Sequence, residues 1–160
     1  MTKAALGYES ALYINTGTYA VPVWTEIDLA RDVKFSKAKD EIDATSRQSA
    51  RGGWKAMADG LKSWSAEFDT LVPAAGETPN PAFAALEAAW YANTSVDVLR
   101  VRGGVVSDAG PLYAERVQCQ VLGGDEGEPL NDVATINFKL TNGSTVPVRG
   151  TTSSGTFTPA

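Results

Sequence analysis

Histidine is absent from the 160 residues, and cysteine occurs once. The first absence removes the commonest general base, the Ser–His and Cys–His nucleophile pairs and the commonest zinc ligand together. The second leaves Cys119 without a partner for an intramolecular disulfide, and in a strand-like segment it reads as a small buried hydrophobe. Positive charge is scarce as well: 14 Lys and Arg against 19 Asp and Glu give a net charge of −5 and a pI near 4.7. That balance argues against a general nucleic-acid binder, which needs clustered Lys and Arg to neutralise phosphate. It suits solubility, or a wall to which nucleic acid must not stick. No run approaches the roughly 18 apolar residues of a membrane span. The opening MTKAALGYES has no long apolar core of the signal-peptide kind. The expectation is a soluble chain made in a cytoplasm-like compartment.

Catalytic spacings are missing too. There is no G-x-S-x-G, no phosphate-cradling G-x-x-x-x-G-K-[ST], no G-x-G-x-x-G after a strand and no C-x-x-C. The run Asp125-Glu126-Gly127-Glu128 lacks the alternating oxygen ligands of a calcium loop and reads as a solvated turn. The chain is therefore expected not to be an enzyme, with no catalytic residues, no metal and no cofactor. Asn93-Thr94-Ser95 and Asn142-Gly143-Ser144 match a glycosylation acceptor, by chance in a chain expected to stay in the cytoplasm.

What the chain does have is a core and many turns. A hydrophobic content of 43% rules out a disordered chain, and 15 glycines with 8 prolines among many Thr, Ser and Val point to β structure. The length suits one domain. Alternation of apolar and polar residues predicts strands at Ala11–Ile14, Val23–Leu29, Val33–Lys37, Leu61–Leu71, Asp97–Arg102, Leu112–Leu122 and Asp132–Thr141. Asn80-Pro81 is a helix start, with an N-cap acceptor followed by a residue that has no N–H to lose. Phe83, Leu86 and Trp90 then form an apolar stripe that should end near Asn93. Gly123–Pro129 reads as a turn. From Ser144 onwards Thr, Ser, Gly and Pro predominate, so the expected division is a β domain over 1–143 and a C-terminal extension over 144–160. That extension either lies on something or is disordered. The fold class is mainly β (α+β): a β-sandwich or partly open barrel with one flanking α-helix and a long protruding β-hairpin loop.

The hairpin is the centre of the sequence. Asp40–Val72 reads as two strands joined by SRQSARGGWKAMADG, where compact hairpins close with about two to five residues. Lys55–Leu61 is open to a second reading as a helical turn ended by Gly60. Ser46, Arg47, Arg51, Gly53, Trp54 and Lys55 gather at the tip, and Arg and Trp favour the centres of interfaces. Asp40, Glu41 and Asp43 below them carry the opposite charge, which is complementary between identical subunits stacked head to tail. The alternative is a solvated loop with Trp54 folded onto its own domain. Glu26 with Asp28, and Glu67 with Asp69, project in pairs from one face of their strands. If those strands are neighbours, the shared face is strongly negative: a phosphate-repelling channel wall, or the ordinary wet side of a sheet.

The pattern resembles the major tail tube proteins of long-tailed bacteriophages. The likeness rests on Asp43-Ala44-Thr45-Ser46-Arg47, on Gly53-Trp54-Lys55, and on the return Gly60-Leu61-Lys62-Ser63-Trp64-Ser65-Ala66-Glu67-Phe68. The helix Pro81–Ala92 and the strand Asn131–Phe138 support it. It implies a structural subunit forming stacked, hexameric rings whose inner strands join into one barrel, in a virion tail assembled in the host bacterial cytoplasm. The tip residues Ser46, Arg47, Arg51, Gly53, Trp54 and Lys55 then make inter-ring contacts, and Glu26, Asp28, Glu67 and Asp69 are candidates for an acidic lumen through which DNA passes. Implied partners are further copies of the chain and the tape measure, tail terminator and distal tail proteins, with no membrane. Two other readings stand beside it. One is the inner tube of a contractile tail or secretion system. The other is a carbohydrate-binding sandwich using Trp24 and Trp54 as platforms.

Overall fold

Residues 11–27, 30–45, 57–74, 76–127, 134–143 and 145–160 are described in a computed structural model. Among them the chain forms β1 (Ala11–Asn15), β2 (Trp24–Glu26), β3 (Arg31–Asp43), β4 (Met57–Leu71), α1 (Pro81–Ala92), β5 (Ser95–Val101), β6 (Leu112–Gly127), β7 (Thr135–Asn142), β8 (Val148–Ser153) and β9 (Thr156–Pro159). The strands form one open antiparallel sheet in the order β2-β1-β5-β6-β7-β4-β3. β6 is long enough to hold two partners along one edge: residues Leu112–Arg116 pair with β8, and Cys119–Gly127 pair with β7. β9 adds to β8.

Side-chain parity decides the layers. Trp64, Ala66 and Phe68 on β4, Val117 and Cys119 on β6, and Phe138 and Leu140 on β7 point to one face. There they meet Ala82, Phe83, Leu86 and Ala89 of α1. Phe138 sits between Phe68 and Phe83, with ring centroids 5.9 and 5.8 Å away. Tyr13, Leu99, Val101 and Ala114 have the opposite parity and form a smaller core on the other face with Trp24, Leu112 and Phe157.

The helix begins and ends where its sequence dictates. Asn80 Oδ1 accepts the Ala82 N–H at 2.7 Å, Pro81 occupies the first turn, and Asn93 closes the helix in the left-handed conformation at φ 53°. The expected stripe is only partly right: Phe83 and Leu86 are buried, but Trp90 is half exposed, and Ala82 and Ala89 complete the inward face. The Trp90 indole instead lies beside Gly123 of β6.

Two open readings are decided and one expectation changes. β4 is strand from Met57, which excludes a helical turn over the described part of Lys55–Leu61. β6 continues to Gly127 through the segment expected to turn, using an irregularity between Val121 and Gly123 where Gly123 adopts φ 149°. The end of the chain is a β8–β9 hairpin laid on β6, so of the two readings of that segment it is the docked one that the structure shows. Its Thr-rich alternation is too short of apolar residues to signal a strand.

Candidate assembly surfaces

The β3–β4 hairpin is a pair of strands of 13 and 15 residues, and most of β3 is exposed. Phe35 ties its base to the body, between Trp64 at 5.9 Å and the Arg100 guanidinium at 3.7 Å. Burial, followed by repulsion from Arg102, holds that guanidinium below its ordinary pKa. Two residues further out, Lys37 Nζ donates to both carboxylate oxygens of the buried Glu115 at 2.6 and 2.7 Å. The Trp64 N–H donates to Asn142 Oδ1 at 2.8 Å, closing the same region from the β7 side.

Beyond this base the register pairs Lys39 with Lys62 and then Glu41 with Asp59. β3 advances two residues between those pairs while β4 advances three, a bulge around Gly60 and Leu61. Gly60 is required there, because a Cβ would run into the Asp40 backbone. The register thus sets two lysines and then two acidic residues opposite one another along the arm. The expected contact residues Ser46, Arg47, Arg51, Gly53, Trp54 and Lys55 lie outside the described residues. The described strands carry the chain to Asp43 and back from Met57, which are register partners.

The acidic candidates separate. Glu26 is exposed on β2, and Glu67 and Asp69 lie on β4. Four strands (β1, β5, β6 and β7) stand between β2 and β4 in the sheet, so the condition for one shared negative face is not met within a subunit. Asp28 lies outside the described residues. Glu67 is flanked in register by Lys34 and Lys139, and Asp69 by Arg31 and Asn137, whose Nδ2 donates to it at 2.6 Å. On β4 and its two neighbours these acids stand beside cations or an amide. Alternation along one strand was legible in the sequence, but the partner strands were not.

Other surface features had no sequence signal. Arg116 donates through Nε to both Asp97 carboxylate oxygens at 3.0 Å and through Nη2 to the Tyr19 carbonyl at 2.8 Å, with the Tyr19 ring 3.9 Å from its guanidinium. Asn15 Nδ2 joins Asp97 at 3.0 Å, fixing the β1–β2 loop over the sheet. Trp24 is half-buried beneath this cluster with its indole N–H enclosed, which removes it as an open sugar platform. Trp90 and the exposed Tyr91 stack edge to face at 4.8 Å. Between the inner face of the β3–β4 arm and residues 142–149 lies a groove of about 890 Å³, lined by Lys37, Lys39, Lys62, Arg149 and Glu115 among others.

No model of a known protein family matches the sequence, and no curated protein matches it either. Solved structures do. The SPP1 tail tube superposes with a TM-score of 0.72 at 10% identity, over 95% of this chain and 82% of that one. A subunit from the tail of an empty gene transfer agent particle, refined with C6 symmetry, gives 0.69 at 14% identity, over 94% of this chain and 100% of that one. The chain has the tail tube protein fold. A subunit of the anti-feeding prophage baseplate, 6-fold symmetrised, matches less closely, at 0.58 and 8% identity over 92% of this chain and 97% of that one. At such identities the tail tube fold is carried by the order of elements and by which face of each strand is apolar, not by shared residues.

Proposed function

We propose that the chain is a structural subunit that polymerises, as stacked rings, into a phage tail tube through which DNA is delivered. The observation that carries this is the superposition, over nearly the whole chain, on subunits of assembled tails. The exposed β3–β4 arm supports it, since a solitary subunit gains nothing from extending two strands beyond its core. In this reading six copies form a ring, as in the C6-symmetric gene transfer agent tail. The tip residues Ser46, Arg47, Arg51, Gly53, Trp54 and Lys55 bridge rings. Glu26, Glu67 and Asp69, with Asp28, are the candidate lumenal carboxylates. Residues 144–160 extend the β domain of 1–143 along β6. The subunit acts by assembly and not by catalysis, in a virion tail built in the host cytoplasm together with tape measure, terminator and distal tail proteins.

The inner tube of a contractile injection system is the weaker reading, because the anti-feeding prophage subunit superposes less well than the tail tubes. Negative-stain imaging of the purified protein at high concentration tests the proposal. Rings or hollow tubes are expected; monodisperse monomers under all assembly conditions would refute it.

A further inference from the structure

Guanidinium groups crowd the end of the sheet from which the arm leaves. The edge strand β3 passes over β5 and β6 there, so that Phe35 meets Arg100 and Lys37 meets Glu115. Glu115 has Arg100 of β5 and Arg149 of β8 as its register partners on either side. The Arg102 N–H bonds the Tyr113 carbonyl at 3.0 Å, which continues the β5–β6 ladder. Arg102 therefore shares the face of Arg100, about 6–7 Å further along the strand. Lys37 occupies both oxygens of Glu115 and so keeps that carboxylate from satisfying the arginines. Among the described residues the Nε atoms of Arg100 and Arg102 are enclosed without an acceptor, while their terminal nitrogens are not enclosed. Each guanidinium lies against an aromatic ring, Arg100 at 3.7 Å from the centre of Phe35 and Arg102 at 5.0 Å from that of Tyr113. A guanidinium held by its flat face keeps its N–H edge for an acceptor in its own plane. Charged donors left without an acceptor cost stability, and burial first, then Arg102, already holds the Arg100 pKa down.

We propose that Arg100 and Arg102 form a binding site for a phosphoryl group, with Arg149 adding its charge from the far side of Glu115. Lys37 and Glu115 cancel, so the charges of Arg100, Arg102 and Arg149 remain. That surplus exceeds what one carboxylate neutralises and suits a phosphate dianion. A tetrahedral phosphate also offers oxygens to two guanidinium edges at once, where a planar carboxylate is filled by one. A bound phosphate relieves the repulsion between Arg100 and Arg102 and ties β5 more firmly to the base of the arm through Phe35. Every group involved belongs to a single subunit, so the site is present whether or not the chain assembles.

Titration of the full chain with inorganic phosphate, at an ionic strength held constant with sodium chloride, tests the site. Calorimetry should show one saturable site per subunit. The melting temperature should rise by about 5 °C once phosphate stands about a hundredfold above its Kd, and matched chloride should leave it unchanged. Arg102→Gln should weaken binding about tenfold or more, and the exposed Arg149→Gln about threefold, because it acts only through its charge. Arg100→Lys keeps the cation and loses the planar edge, and should also weaken binding about tenfold. Circular dichroism establishes that each variant is folded. A nucleoside monophosphate titrated in the same way separates the two sources of a phosphoryl group: affinity equal to that of inorganic phosphate assigns the site to the end of a larger ligand, and loss of affinity assigns it to the free ion. No saturable binding of either compound, acetate binding as well as phosphate, or unchanged affinity in both folded Arg102→Gln and folded Arg100→Lys would overturn the inference. None of these outcomes touches the tail-tube reading, which imaging of rings and tubes decides separately.

Discussion

Lys37 on the arm and Glu115 near the start of β6 form a two-oxygen ion pair in which the carboxylate is 3% exposed and the lysine side chain 41%. The pair joins the edge strand of the sheet to the strand that organises both of its halves. A buried acid with a half-open cation contributes less to stability than to geometry: it fixes how far the arm lies over the body.

Lys37→Met should cost about 1–3 kcal/mol, the loss expected when a buried charged acceptor is deprived of its donor. Glu115→Gln should cost less, since the amide keeps the shape and leaves only an exposed lysine behind. Chemical denaturation of the three proteins gives these differences. Equal losses would mean that the ion pair does not position the arm.

The alkaline limb of stability should come from the core. Burial, and then the nearby Asp97, push the Cys119 thiol well above its ordinary value of 9.0, and burial first also raises the Tyr13 phenol, whose oxygen accepts the Val106 N–H. For groups raised in the folded state, the stability they contribute is complete below the unfolded pKa and is lost as pH climbs towards the folded one. The melting temperature should therefore hold to about pH 9 and fall above it, and Cys119→Ser should shrink the fall. Native Cys119 should resist iodoacetamide at pH 8 and react once unfolded. Rapid native labelling would contradict its burial.

The face of each strand was legible because period-two alternation needs no knowledge of partners: Trp64, Phe68, Val117, Phe138 and Leu140 all point where their parity puts them. The helix boundaries were legible because Asn80, Pro81 and Asn93 are local devices. Partner strands were not, since nothing in the spacing of Glu67 says that Lys34 and Lys139 flank it. β8 was missed because its burial comes from Gly150 and Thr152 packed beside Phe157, residues with no hydropathic signal. The groove joins β3, β4, β6 and the approach to β8, so no stretch of sequence contains it.

If Glu67 and Asp69 face the lumen, their reversal should convert an alternating wall into a basic one. Glu67→Lys would stand between Lys34 and Lys139 and cost about 0.5–2 kcal/mol from two unfavourable cross-strand pairs. Tubes should still form. Tubes carrying Glu67→Lys and Asp69→Lys should retain DNA in a low-salt gel-shift assay and release it as salt rises, whereas wild-type tubes should not bind. Variant tubes with no affinity for DNA would place both carboxylates on a face that DNA does not meet.

Removing residues 46–54 isolates the role of the arm's tip. Asp43 and Met57 are register partners, and after the deletion only Ala44, Thr45, Lys55 and Ala56 connect them. Four residues lie within the usual range for closing a hairpin, so β3 and β4 should stay paired and Phe35 should stay between Trp64 and Arg100. The deleted protein should be soluble, melt within a few degrees of the full chain, and fail to stack into tubes, because Ser46, Arg47, Arg51, Gly53 and Trp54 are gone. Rings that still form in its micrographs would show that lateral contacts are independent of the tip. Tubes of normal length would remove the tip from the inter-ring contact altogether.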